Sequence, residues 1–212
     1  ITAWTGDQSG YQVAQTKPMK MEAIEGLYDG GNSMGLTVIG LVNPDKKSYD
    51  DGVDPILYDL KIPNFLSFLA TRQLDGYVPG IHDLIKGGYP LPDGSKALSA
   101  EEKIASGKKA IAALDAFRQA KKEGNEQAET RETLQNNIAH FGYGYIQNVD
   151  QLIPNVPLNF YAFRVMVGLG VYFILLFVLI LFFVYKKDLS RIKWMQWLCL
   201  WSIPLAYLGS QA

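Results

Sequence analysis

The sequence predicts a mostly α-helical fragment of a multi-spanning membrane protein, with a long extracytoplasmic segment of mixed helix and loop. Three observations support this prediction. Residues 165–185 form an uncharged apolar run, residues 194–212 form a second one, and nearly all acidic residues precede both runs. In a chain with this distribution, most charged residues belong to a segment on one side of the membrane.

The first apolar run, VMVGLGVYFILLFVLILFFVY, is long enough to cross a bilayer. At about 1.5 Å per residue its 21 residues span about 31 Å, the thickness of the hydrocarbon core. We therefore predict a transmembrane helix over residues 160–185. The second run predicts a truncated transmembrane helix over residues 194–212.

The connection between the two runs sets their orientation. Residues 186–193 contain four basic side chains and one acid: Lys186, Lys187, Arg191, Lys193 and Asp188. Basic loops stay in the cytoplasm, so this turn is predicted to be cytoplasmic and residues 11–159 extracytoplasmic. Residues 1–10, with Trp4 at the interface, are expected to end a preceding transmembrane helix, which makes the chain an internal fragment.

Composition disfavours several classes of function. Residues 1–163 carry 15 Lys and Arg against 20 Asp and Glu, a formal charge of −5 that argues against nucleic-acid binding. The single cysteine, Cys199, precludes an intramolecular disulfide. The two histidines, His82 and His140, are nearly 60 residues apart and lack the spacing of a zinc site. Neither a nucleotide-binding glycine motif nor a nucleophile elbow is present.

The outer segment begins with a predicted short helix. Thr16 is its predicted N-cap, and Pro18 lies in its first turn. Its inward stripe is predicted to be Met21, Ile24 and Tyr28. Residues 32–58 are rich in turn signals, around one β-like run LTVIGLV, and are expected to form a mobile loop with little regular structure.

Three further helices are predicted. One begins at residue 62, with inward side chains Phe65, Leu66, Leu69 and Leu74. A second begins at Ser99, because Ser99 and Glu102 have capping-box spacing. The third covers residues 126–141.

Lys20 and Glu25, in KPMKMEAIEGLY, are the first candidate site residues. On an ideal helix they lie about 140° apart, so they do not share a face. The residues alone leave two readings open: solvated surface charges, or a ligand site at the helix end reached from both sides.

Met166 and Arg164, in NFYAFRVMVGLG, are the second candidates. A methionine in a membrane helix usually serves as packing, but its thioether can also be an axial haem ligand. Arg164 can extend to the lipid headgroups or pair with an anion such as a haem propionate.

Five stretches together resemble subunit I of the cytochrome bd quinol oxidases, in the same order along the chain. They are GDQSGY at 6–11, KMEAIEGLY at 20–28, FLATRQLDG at 68–76, HFGYG at 140–144 and FYAFRVMVG at 160–168. The resemblance implies that residues 11–159 form the quinol-binding loop, or Q-loop, in its long form.

The resemblance also assigns roles to individual residues. It implies that Lys20 and Glu25 act in quinol binding and oxidation, that Met166 is the axial ligand of the low-spin b haem, and that Arg164 lies beside this haem. Glu22, outside the matched pair, is expected to be silent when substituted.

The family resemblance implies further components that these residues do not supply. The high-spin b haem and haem d are expected in the full subunit, with ligands outside this chain. The implied partners are ubiquinol or menaquinol, oxygen, subunit II with possible small membrane subunits, and lipid, and the implied location is the bacterial cytoplasmic membrane.

Two functions from different classes follow from these observations. The first is a quinol:oxygen oxidoreductase that oxidises quinol at the outer face and passes electrons through a low-spin b haem to an oxygen-reducing site. The alternative is a membrane-anchored sensor or adhesion protein whose outer segment binds a ligand. Haem absorbance distinguishes the two.

Overall fold

The computed structural model describes residues 2–91, 94–123, 128–186 and 193–211. It divides into two compact units, Ile1–Asn155 and Val156–Ala212, which are described separately. Residues 187–192, most of the predicted cytoplasmic turn, lie outside the described residues.

The first unit opens with α1 (Thr2–Thr16), which continues through the point where the sequence placed a membrane exit. The predicted helix cap at Thr16 is wrong. The Thr16 hydroxyl donates to the Gln12 carbonyl one turn earlier, at 2.7 Å, so this side chain belongs to the end of α1. Lys17 occupies the N-cap of the next helix without a side-chain hydrogen bond, and Pro18 begins that helix.

Helix α2 (Pro18–Glu25) ends at Gly26, whose φ of 66° is the left-handed conformation that glycine adopts readily. Its buried residues are Glu22, Ala23 and Glu25. The predicted inward stripe is confirmed for Tyr28, which is buried, and for Met21, which packs against the cluster of Leu66, Ala70 and Val78, whereas Ile24 is only half-buried. A search for apolar periodicity excludes glutamates from the core by assumption, and here they occupy it.

Residues 36–62 form a β-hairpin, contrary to the expectation of little regular structure. Strands β1 (Leu36–Val42) and β2 (Ile56–Ile62) pair antiparallel, with Leu36 opposite Ile62 and Val42 opposite Ile56. The run LTVIGLV was recognised as β-like, but its partner was missed. Asp59 and Lys61 interrupt the apolar character of β2, and only pairing with β1 identifies it as a strand.

Two short helices follow the hairpin, α3 (Phe65–Thr71) and α4 (Ile81–Lys86). The predicted inward position is confirmed for Leu66, which packs with Ala70 and Val78, and is wrong for Phe65 and Leu74, which are exposed. The polar Ser67 is buried instead, because its hydroxyl accepts from Met34 N and donates to the Gly76 carbonyl, both at 2.8 Å. Helix α4 was not predicted.

An ion pair joins two of the stretches that carry the family resemblance. The Arg72 guanidinium donates two hydrogen bonds to the Asp7 carboxylate, at 2.9 and 2.7 Å, and lies 4.9 Å from the centre of the Tyr11 ring. This two-point geometry fixes the end of α3 against α1.

Helix α5 (Ala100–Glu123) begins with the predicted capping box. Ser99 N donates to the Glu102 carboxylate at 2.8 Å, and Glu102 N donates to the Ser99 hydroxyl at 3.2 Å. The predicted helix over residues 126–141 is divided into α6 (Ala128–Asn137) and a 3₁₀ helix (Ile138–Tyr145), with a second 3₁₀ helix at Val149–Leu152.

The HFGYG stretch lies on this first 3₁₀ helix, where it packs against α5. A Cβ on Gly107 would overlap the backbone of Gly144, and a Cβ on Gly144 would overlap the backbone of Gly107. The two segments therefore approach so closely that only glycine fits at either position.

The second unit consists of α7 (Val156–Lys186) and α8 (Lys193–Gln211). Within the described ranges, α7 is the one helix that is long and apolar enough to cross a membrane. Helix α8, which contains Pro204, does not meet this criterion of length and hydropathy. The multi-spanning arrangement therefore stays a prediction. The Tyr172 hydroxyl and the Ser202 hydroxyl are hydrogen-bonded at 2.7 Å and join the two helices.

His82 fastens the loop between β1 and β2. Its Nδ1 donates to Asp29 Oδ1 at 2.7 Å and its Nε2 donates to the Tyr49 carbonyl at 2.6 Å. Both partners are acceptors, so the ring makes both bonds only as an imidazolium. Burial opposes this charge, but the bonds to Asp29 and Tyr49 outweigh it and raise the pKa of His82.

We expect this contact to make the rate at which an added protease cleaves loop 43–55 depend on pH. Since the folded-state pKa is raised, the stabilisation is complete below about 6.5, the reference value, and is lost as pH rises through the raised value. Cleavage within this loop, mapped on the whole protein, should be faster at about pH 9 than at about pH 6. The His82→Asn variant should remove the difference and His140→Asn should keep it; equal cleavage of the wild type at both pH values would refute the assignment.

Candidate functional site

Two glutamates form the buried face of α2. Glu22 is 2% exposed and Glu25 is 3% exposed. Residues three apart on a helix lie on the same face, with Cβ atoms about 5–6 Å apart. The sequence singled out Glu25 and treated Glu22 as an inert neighbour, but the structure buries both carboxyl groups side by side.

Glu25 faces the start of the hairpin. Its Oε2 accepts a hydrogen bond from Thr37 N at 3.3 Å, longer than the usual N–H···O distance of about 2.9–3.0 Å. The interpretation of Glu25 as a solvated surface charge is therefore wrong. Lys20, by contrast, lies on the exposed side of α2. The structure keeps Lys20 and Glu25 on different faces, as the 140° separation predicts.

The Oε2 atom of Glu22 is buried. Among the described residues, nothing forms a hydrogen bond with its Oε2. Burial raises the pKa of Glu22 well above its ordinary value, and the negative charges of Glu25 and Asp83 raise it further. A carboxyl group in this position favours its neutral, protonated form.

Asp83, on α4, is the third carboxylate of this region and differs from Glu22 in its partners. Its Oδ2 accepts from Gly30 N at 3.0 Å, from Gly80 N at 2.9 Å and from the Tyr77 hydroxyl at 3.0 Å. Burial is the larger cause, and the hydrogen bond from the Tyr77 hydroxyl to Asp83 the next, of the rise in the pKa of Tyr77 to about 12. Asp83 Oδ2 thus accepts from three donors, whereas no described residue donates to Glu22 Oε2.

A small cavity lies at the other end of α2. It has a volume of about 30 Å³, room for about one water, and its lining comprises Pro18, Met19, Leu84, Ala100, Lys103, Tyr143 and Leu152. Burial lowers the pKa of Lys103. The pKa of Tyr89 is raised by burial and then by the charges of Tyr143, Glu22 and Asp83.

The second pair of candidates lies near the start of α7. The Arg164 guanidinium lies 3.4 Å from the centre of the Phe160 ring and donates to the Phe160 carbonyl at 3.0 Å. Met166, two residues later, leaves the helix about 200° around its axis. The structure therefore does not place Arg164 and Met166 on the same side of α7.

Met166 is 41% exposed within the chain, so a bound group can reach this residue. In the part of the chain that the structure describes, no cluster of three or more His, Cys, Asp or Glu side chains could hold a metal ion. A single thioether is suited to complete the coordination of an iron already held by a porphyrin.

Glu22 and Asp83 are the residues of this region that sequence reasoning missed. The available signal was the spacing of Glu22 and Glu25, which puts two carboxyl groups on one face of a short helix. Asp83 gave no local signal, because α4 and its contact with residues 30 and 80 arise from tertiary packing.

Comparison with known proteins gives three findings. The whole chain, residues 1–212, matches the family model for cytochrome bd terminal oxidase subunit I. The chain is 29% identical over 214 residues to the cytochrome bd-II ubiquinol oxidase subunit 1 of Escherichia coli (strain K12), a match that covers all of this chain and 40% of the relative. The structure of bd oxidase from Geobacillus thermodenitrificans matches 99% of the chain and 44% of its own, at 18% identity and a TM-score of 0.32. The chain thus spans less than half the length of these relatives.

Proposed function

This chain belongs to the cytochrome bd terminal oxidase subunit I family, and we propose from this that residues 11–159 are an extracytoplasmic segment that binds and oxidises quinol. The family relationship supplies the class of reaction. The observation that carries the proposal within this chain is the buried carboxylate of Glu25, at the position that the KMEAIEGLY stretch indicates.

Glu25 is the proposed base. Quinol oxidation releases two electrons and two protons, and each hydroxyl needs an acceptor for its proton as the electrons leave. The long bond between Thr37 N and Glu25 Oε2 can yield to a quinol hydroxyl without the loss of a strong interaction. Because Glu25 is nearly shielded from water, its interaction with that hydroxyl is stronger than in solution.

Lys20 is the proposed binding residue. It lies on the exposed side of α2, away from the Glu25 carboxylate. A mobile ammonium there can hold a quinol oxygen or the anionic form of the ring without taking part in proton abstraction. This arrangement assigns affinity to Lys20 and proton transfer to Glu25.

Met166 is the proposed axial ligand of a low-spin b haem, with Arg164 as the nearby cation. When bound, the haem supplies a one-electron acceptor, which suits the stepwise oxidation of quinol. The neutral sulfur of Met166 favours the ferrous state of the iron. Arg164 has five N–H donors and a side chain long enough to meet a propionate.

The test is a reduced-minus-oxidised absorbance spectrum of the whole protein in its membrane. Ubiquinol and menaquinol are added in separate samples, and dithionite defines full reduction. We expect haem bands to appear with at least one quinol. Absence of haem bands even with dithionite would refute the oxidase and favour a ligand-binding sensor, whereas bands that appear only with dithionite would refute quinol as the donor.

A further inference from the structure

The buried face of α2 holds two carboxyl groups where the proposed reaction needs only one. Glu22 and Glu25 share this face, and the charge of Glu25 acts on Glu22. Two neighbouring carboxyl groups that are both shielded from water do not both ionise readily, so the pair retains a proton. The contacts of each residue indicate which one holds it.

The hydrogen bonds assign the proton to Glu22. Glu25 Oε2 accepts from Thr37 N, and an N–H donor stabilises an ionised carboxylate. Glu22 Oε2 is buried and, within the described ranges, meets no donor. An ionised Glu22 would thus be an uncompensated buried charge, which is strongly disfavoured relative to the neutral acid.

We propose that Glu22 is the protonated member of this pair and releases its proton when Glu25 accepts one from quinol, an inference that rests on the quinol-oxidising role proposed above. Glu22 acts through Glu25 and does not touch quinol. While Glu22 is neutral, Glu25 remains ionised and able to accept a proton.

The step balances as follows. One O–H bond of quinol breaks, its proton forms an O–H bond on Glu25, and the electrons of quinol go to the one-electron acceptors of the oxidase. Neutralisation of Glu25 removes one of the two negative charges that add to the effect of burial, and so lowers the pKa of Glu22. The O–H bond of Glu22 then breaks and its proton passes to water, so one proton enters the pair and one leaves.

Among the described residues, the charged and titratable groups that act on Glu22 or respond to its charge are Glu25 on its own helix, Asp83 on α4, and Tyr89. Helix α1, which also packs against α2, carries Asp7, and this carboxylate is engaged by Arg72.

Infrared spectroscopy of the whole oxidase tests the protonation state without quinol. A protonated carboxylic acid has a C=O stretching band that a carboxylate lacks. We expect such a band at neutral pH in the wild type, in Glu25→Gln and in the exposed control Glu101→Gln, and its loss in Glu22→Gln. Persistence of the full band in Glu22→Gln would overturn the proposal.

Kinetics test the release step. In Glu22→Gln the neutral amide mimics the protonated acid, so Glu25 still accepts a proton and the first anaerobic reduction of haem by quinol keeps its rate. Steady-state turnover should fall roughly tenfold or more, because Glu25 must then lose its own proton unaided. Unchanged turnover would overturn the proposal, and so would equal loss in both phases.

The two proposals fail separately. If Glu25→Gln retains full quinol-driven turnover, the base assignment fails while the infrared band still reports the proton on Glu22. If Glu25→Gln is inactive but the band is unaffected by Glu22→Gln, the base assignment stands and the inference about Glu22 fails.

Discussion

Substitution of Glu25 by Gln in the whole oxidase should reduce quinol-driven oxygen uptake by about 10²–10⁴-fold, the range typical of lost acid–base catalysis. Glutamine keeps the size of the side chain and can still accept from Thr37 N, so the fold of α2 and β1 should persist. What it lacks is a basic carboxylate. Oxygen uptake measured with quinol, alongside uptake driven by an artificial donor that reduces the haems directly, tests this expectation.

The controls for Glu25→Gln follow from burial. Glu101→Gln changes an exposed glutamate on α5 and should leave both rates unchanged. Glu22, by contrast, is unsuitable as a silent control, because it is as buried as Glu25. Equal loss with quinol and with the artificial donor would show that Glu25→Gln damages the electron acceptors, and the assignment of Glu25 as the quinol base would then be withdrawn.

Lys20→Met gives the contrasting result if Lys20 acts in binding alone. Because its side chain is exposed and on another face of α2, its loss should raise the apparent KM for quinol more than it lowers kcat. A drop in kcat as large as that of Glu25→Gln would instead place Lys20 in proton transfer.

Met166→Leu should eliminate the absorbance of the low-spin b haem or shift its potential downward, and quinol-driven turnover should be lost with it. Leucine nearly conserves the volume of methionine, so α7 itself should be little disturbed. The change removes the sulfur, and with it the neutral ligand that favours ferrous iron. A redox titration followed by absorbance measures both the haem content and its potential.

Met195→Leu is the matched control for Met166→Leu. Met195 lies on α8 in the same unit but is fully buried, whereas Met166 is partly exposed and accessible to a bound group. The Met195 variant should keep the low-spin spectrum and potential of the wild type. If Met166→Leu also keeps both, Met166 is a packing residue and the ligand assignment is wrong.

Local signals accounted for what the sequence predicted correctly. The capping box at Ser99 and Glu102 involves atoms within one turn of helix, so its residues specify it completely. The apolar run of α7 likewise predicts a membrane-spanning helix without reference to other segments, because length and hydropathy alone decide whether a helix can cross a membrane. The five stretches of family resemblance needed only their order along the chain.

The predictions that were wrong or missing depend on contacts that local sequence does not specify. β2 contains Asp59 and Lys61 and becomes a strand through pairing with β1, a contact that its own residues do not encode. The Thr16 cap was displaced because α1 continues past Gly10 to include it. Gly107 and Gly144 have meaning only together, since each leaves room for the backbone of the other.

The candidate site shows the same division. The sequence by itself determined the family, the membrane helix and the identity of Glu25 and Met166 as candidates, because these depend on residue type and spacing. Only the tertiary structure shows that both glutamates of α2 are buried. It also shows that Asp83 accepts hydrogen bonds from three donors, while no described residue donates to Glu22 Oε2. Finally, it shows that the Arg164 side chain donates to the Phe160 carbonyl. The reason is that burial and the supply of donors are set by the segments packed against a helix, and these come from distant parts of the chain.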